Sequence, residues 1–128
     1  FDDFKLRSII SSMDILKMQR LTKSIYLSKD IEKYIVRLVD ATRHPDKYKI
    51  KMGKYIGWGS SPRASIGLHI ASKAEALMKG KSFVVPQHIK EIAHDVLRHR
   101  IILNYEGQAE NIKTDDIVSE VLAKVPIP

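Results

Sequence analysis

Apolar residues recur along the chain with a helical period in four places. Ile31, Tyr34, Ile35, Leu38 and Val39 fall at i, i+3, i+4, i+7 and i+8, the spacing that lines one helix face. Ser28 suits the cap of this helix, Asp30 and Glu32 suit its first turn, and Pro45 stops it. Ile66, Ile70, Ala74 and Leu77 predict the buried face of a second helix, opened by Ser61-Pro62 and closed near Gly80. Ile89, Ile92, Ala93, Val96 and Leu97 repeat the spacing, with Pro86 at the first helical position. A last helix is predicted with Thr114 as cap, Asp115 and Asp116 in its first turn, and Ile117, Val118, Val121 and Leu122 buried. A weaker fifth helix is predicted from Ser12 to about Lys23.

The pattern shortens between these helices. "IYL" (25–27), "FVV" (83–85) and "IIL" (101–103) are apolar and β-branched but too short for a large sheet. In 44–60, the longest connection, "KYKIKM" alternates basic and apolar residues and predicts a strand of a small hairpin. The expectation is an all-α domain, a small bundle of four to five helices with a short β-hairpin. No internal repeat or low-complexity tract interrupts it.

Composition narrows the functional classes. The chain has 128 residues, one domain's worth, with 44% hydrophobic and 29% charged. No stretch approaches the ~18 apolar residues of a membrane helix. The opening "FDDFKLR" has no signal-peptide core and reads as the cut edge of a longer chain. Without cysteine, thiolate chemistry and cysteine–zinc sites are excluded, which is compatible with the cytoplasm. Of a net charge of +7, residues 1–60 carry +6. A basic half suits nucleic acid, an acidic partner or a polyanion, or simply a solvated face.

Candidate chemistry is sparse. No two of His44, His69, His88, His94 and His99 stand at i, i+3 or i, i+4, so no helix face offers a metal-ligand pair. There is no phosphate-binding loop of the G-x-x-x-x-G-K-[ST] type and no G-x-G-x-x-G. In Lys47–Trp58, one reading stacks Tyr48, Tyr55 and Trp58 on bases while Lys47, Lys49, Lys51 and Lys54 meet phosphates. The other is an edge strand protected by lysines, and it is preferred.

"GWGSSPRAS" (57–65) is more informative. With Ser61 as cap and Pro62 at the first position, Arg63 falls in the first turn of a helix. That end carries partial positive charge and favours anions. A guanidinium beside free backbone N–H groups makes a phosphate site. The alternative is that Arg63 projects into water or pairs with Glu110.

"GSSPRAS", the alanine-containing helix after it, "VVPQHIKEIAHDVLRHRIIL" and the terminal "VPIP" together resemble the C-terminal lid domain of MoxR-type AAA+ ATPases. The resemblance covers residues 28–128 and is strongest at 59–66, 84–104 and 114–128. Residues 1–27 match poorly; they read as a link from an ATPase core plus the first lid helix. The resemblance implies that Arg63 is the sensor-2 arginine, reaching the γ-phosphate of ATP from a helix start formed by Ser61 and Pro62. Ser60 stands where the family usually has alanine. Arg98, His99 and Arg100 match the family's "LRHRI"; contact with a neighbouring subunit is one reading of them, a polar helix end the preferred one. The core's catalytic groups are absent from this chain, so the resemblance implies a parent ATPase using ATP with Mg²⁺, and a fragment that does not hydrolyse it alone. It further implies a chaperone-like role, a homo-oligomeric ring, a von Willebrand factor A-domain partner and a cytoplasmic location.

Overall fold

The structure is a computed structural model and describes residues 4–128. The cut-edge reading at Phe1 thus begins on residues outside those described. Among the described residues six α-helices follow one another: α1 (Ser12–Ser24), α2 (Lys29–Arg43), α3 (Pro62–Met78), α4 (Pro86–Leu97), α5 (Tyr105–Ala109) and α6 (Thr114–Lys124). Two 3₁₀ helices, Pro45–Tyr48 and Lys51–Tyr55, fill the connection after α2. Two short strands, β1 (Ile56–Trp58) and β2 (Ile102–Leu103), complete the fold. The expected helical bundle is the one observed, with the five-residue α5 as an added turn.

The helix ends follow local chemistry. Ser28 caps α2 by accepting the Ile31 N–H at 3.3 Å. Ser11 and Asp14 form a reciprocal capping box on α1, the Ser11 N–H donating to Asp14 at 2.8 Å. Pro86 opens α4, where the Val85 N–H donates to the buried ring of His88 at 3.2 Å. Gly80, at φ 70°, turns the chain after α3. At α6 the expectation is off by one residue: Lys113 holds the cap position and Thr114 is already helical.

The core gathers Tyr34, Ile35 and Leu38 of α2, Leu68 of α3, Ile89 and Leu97 of α4, and Ile117, Val118 and Val121 of α6, all essentially inaccessible. One predicted face is wrong. On α3, Ile66 and Ile70 remain 60% and 57% exposed, while Ala64, Leu68, Ser72 and Ala76 are buried. α3 packs chiefly on α4 and also touches α1 and α2. Its inward stripe is mostly small, which permits close approach, and the bulkier isoleucines are left on the outer side.

The predicted strand "KYKIKM" does not form. Lys49 adopts a left-handed conformation (φ 56°) between the two 3₁₀ helices. The N–H groups of Lys51 and Met52 donate to the Glu120 carboxylate at 2.7 and 2.9 Å, so they cannot enter a ladder. The strand is instead β1, immediately downstream. It pairs antiparallel with β2, Ile56 opposite Leu103 and Trp58 opposite Ile102, across a long connection and not as a hairpin. "IYL" and "FVV" meet in a single parallel bridge between Tyr26 and Phe83.

Candidate functional site at the start of helix α3

The site is built where β1 feeds α3. Gly59 lies against the end of α2 so closely that a Cβ would come within 2.3 Å of the Thr42 carbonyl oxygen; only glycine fits. Next, the Ser60 N–H donates to Thr42 Oγ1 at 2.9 Å, and the Thr42 hydroxyl donates to the Val39 carbonyl at 2.7 Å. These contacts clamp the α3 start onto the last turn of α2. Ser60 itself is fully buried and its Oγ has no hydrogen-bond partner.

Ser61 occupies the cap position, yet its side chain makes no capping bond. Pro62 has no N–H, and the Ala64 N–H donates to the Ser61 carbonyl at 2.8 Å. The first turn thus has no side-chain cap and contains no acidic residue. Arg63 is exposed there, and among the described residues no carboxylate lies within salt-bridge distance of it. The Glu110 pairing does not form, because Glu110 accepts the Tyr55 hydroxyl at 2.6 Å. A cation and an open helix start side by side present positive charge to solvent without internal compensation.

Beside this start lies a hollow of about 430 Å³ lined by Arg43, His44, Gly57, Trp58, Gly59, Ser60, Ser61 and Pro62. No sequence pattern marks Arg43 or His44, which reach the hollow because α2 ends against Gly59. His44 is oriented from below: its Nδ1 lies 2.7 Å from Asp40, which also accepts Lys47 at 3.0 Å and the Tyr48 hydroxyl at 2.8 Å. Hydrogen bonds from Lys47, Tyr48 and His44 hold the Asp40 carboxyl down at about 2, so it is ionised at neutral pH. An ionised carboxylate only accepts, which makes Nδ1 the protonated nitrogen of His44.

The remaining predicted residues fall elsewhere. Arg98 is tied within the chain, to Asp95 at 2.8 Å and Asp115 at 2.9 Å. His99 is exposed and Arg100 half-buried, with an unpartnered buried Nε. The aromatic platform for nucleic acid is not assembled: Tyr55 is buried, Tyr48 is bonded to Asp40, and of the three only Trp58 is exposed, at 74%. No cluster of three metal-ligating side chains occurs among the described residues.

A fold of this shape, with a helix opening on Ser-Pro-Arg, defines a class. Residues 52–121 match the AAA lid domain family, and the chain belongs to it. Within that class it is a lid of the MoxR type. It is 35% identical over 123 residues to the chaperone MoxR1 of Mycobacterium tuberculosis, covering 95% of this chain and 33% of that one. It is 33% identical to the uncharacterized protein YeaC of Bacillus subtilis, covering 96% of this chain and 36% of YeaC. The crystal structure of a candidate ATPase from Cytophaga hutchinsonii superposes with a TM-score of 0.91 at 41% identity, over 99% of this chain and 39% of that one. The chain thus spans about a third of the length of these curated relatives.

Proposed function

We propose that this lid senses the γ-phosphate of ATP through Arg63 and couples ATP binding and hydrolysis to its own movement. One observation supports this above the others: Arg63 stands exposed and uncompensated at a helix start whose cap side chain is unengaged. Its planar fork suits two phosphate oxygens; the first turn itself adds few donors, since Pro62 has no N–H and the Ala64 N–H is bonded to Ser61. Mg²⁺-ATP, when bound, supplies the terminal phosphate and the metal that neutralises its charge. The residues present fit one phosphate contact and not a complete nucleotide site, since the chain has no phosphate-binding loop. Loss of the terminal phosphate removes the attraction holding Arg63, which frees the lid to rotate.

The same reading makes residues 1–27 a link from an ATPase core plus the first lid helix, α1. It makes the parent a cytoplasmic, chaperone-like ring ATPase working with a von Willebrand factor A-domain partner. Among the described residues no helix is long and apolar enough to cross a membrane. Of the "LRHRI" group, Arg98 is engaged within the chain, which leaves His99 and Arg100 as the side chains for a subunit contact. The nucleic-acid alternative through residues 47–58 is not favoured, because two of its three aromatics are occupied inside the fold.

The test is Arg63→Ala in the full-length ATPase that carries this lid. Turnover should fall by well over tenfold, short of the ~10³–10⁵ attributed to arginine fingers, because the core's own groups remain. Stability of the lid should change by less than about 1 kcal/mol. Arg63→Lys should not restore the rate, since an ammonium lacks the planar fork. A destabilised lid with normal turnover would end the sensor reading.

A further inference from the structure

A second charged concavity lies apart from the α3 start and shares no lining residue with its hollow. It measures about 660 Å³ and is walled by Lys49, Lys51 and Lys54 from the 3₁₀ segment and Lys124 from the last turn of α6. Asp46 is the one acidic side chain on its wall. Among the described residues, none of the four lysines has a carboxylate within salt-bridge distance. Lys47, nearby in sequence, differs: it is held by Asp40 at 3.0 Å. Glu120 is close, but both its oxygens are turned to the N–H groups of Lys51 and Met52. Lys54 lies over the Tyr55 ring at 4.8 Å and feels Glu110 and Glu106, so the positive excess rests on Lys49, Lys51 and Lys124 against Asp46 and Glu120.

Lys49 adds an independent sign. Its left-handed backbone (φ 56°, ψ 39°) is one that glycine or asparagine adopts with less strain. Strain tolerated at an exposed side chain points to a use for that side chain. The wall carries ammonium groups and no guanidinium, point charges that pair with carboxylate and phosphate alike. It also offers no free aromatic face: Tyr55 is buried, and Trp58 lines the other hollow. Carboxylates therefore suit it better than a nucleic-acid strand, which would gain from stacking.

We infer that this lysine-walled hollow is a docking site for an extended, carboxylate-rich peptide segment of a partner protein. The probe is a fluorescent all-glutamate peptide of about ten residues, long enough to bridge several lysines at ~3.4 Å per residue. It is titrated with the 128-residue chain and followed by anisotropy. Saturable binding is expected, weakening at least tenfold between roughly 50 and 200 mM salt as screening grows. Lys49→Glu with Lys51→Glu and Lys124→Glu should lower the affinity at least tenfold. The milder pair Lys49→Gln and Lys51→Gln, less demanding of the fold, should lower it severalfold with an unchanged melting temperature. Lys17→Glu with Lys23→Glu on α1, the same kind of charge change elsewhere, should weaken binding far less. Absence of saturable binding, equal loss with the α1 variant, or tighter binding of a single-stranded oligonucleotide of matched charge would each overturn the proposal.

Discussion

Ser60 uses its backbone well and its side chain not at all. Its N–H is satisfied by Thr42, while its hydroxyl is buried without a partner. An unpaired buried hydroxyl carries a desolvation cost that a methyl group does not. Ser60→Ala should therefore stabilise the domain, by about 1 kcal/mol, measured by denaturant unfolding of both forms. A loss of stability would mean that the hydroxyl has a partner. Gly59, one residue earlier, has no such latitude, because a backbone carbonyl occupies the space a side chain would need. Arg63 is the opposite case: exposed, and without a carboxylate in salt-bridge reach among the described residues, it contributes little to the fold.

At the scale of elements, the connection from α2 to α3 is organised by a helix far away in sequence. Glu120 of α6 acts as an acceptor for the second 3₁₀ helix, just as a cap residue does for an α-helix. Glu120→Ala should cost about 1.5–3 kcal/mol, the range for hydrogen bonds to a charged group. The loss should be local: amide exchange at Lys51 and Met52 should quicken before that of the α2 core. Uniform protection in the variant would show that neighbouring packing, and not Glu120, holds this segment. The outer side of α3 is the second element-scale feature. Ile66 and Ile70 border a groove with Ile35 and Val36 of α2, of about 450 Å³. Apolar residues at helical spacing were here correct about the helix and wrong about its orientation.

For the whole molecule, complementary apolar stripes on α2, α4 and α6 close one core. The 128-residue chain should accordingly fold by itself as a monomeric helical domain. It should not hydrolyse ATP, because it has no loop to hold the phosphates. Steady-state turnover above a buffer blank, persisting through repurification, would refute that.

Local sequence was enough for α1, α2, α3, α4 and α6, the Ser28 cap and the Ser-Pro-Arg start, because capping and amphipathic spacing act within a few residues. It was also enough to mark Arg63, since a cation at the wrong end of a helix is an anomaly readable from position alone. Which side of α3 faces inward was decided by α4, whose close approach favours a small-residue stripe over a greasier one. The 3₁₀ path of residues 45–55 was decided by Glu120, some seventy positions away, against a local alternation that reads as a strand. The hollow at the α3 start exists because Gly59 lets α2 end directly against that start. In each of these three cases the deciding contact joins segments distant in sequence, and short-range pattern carries no information about such contacts.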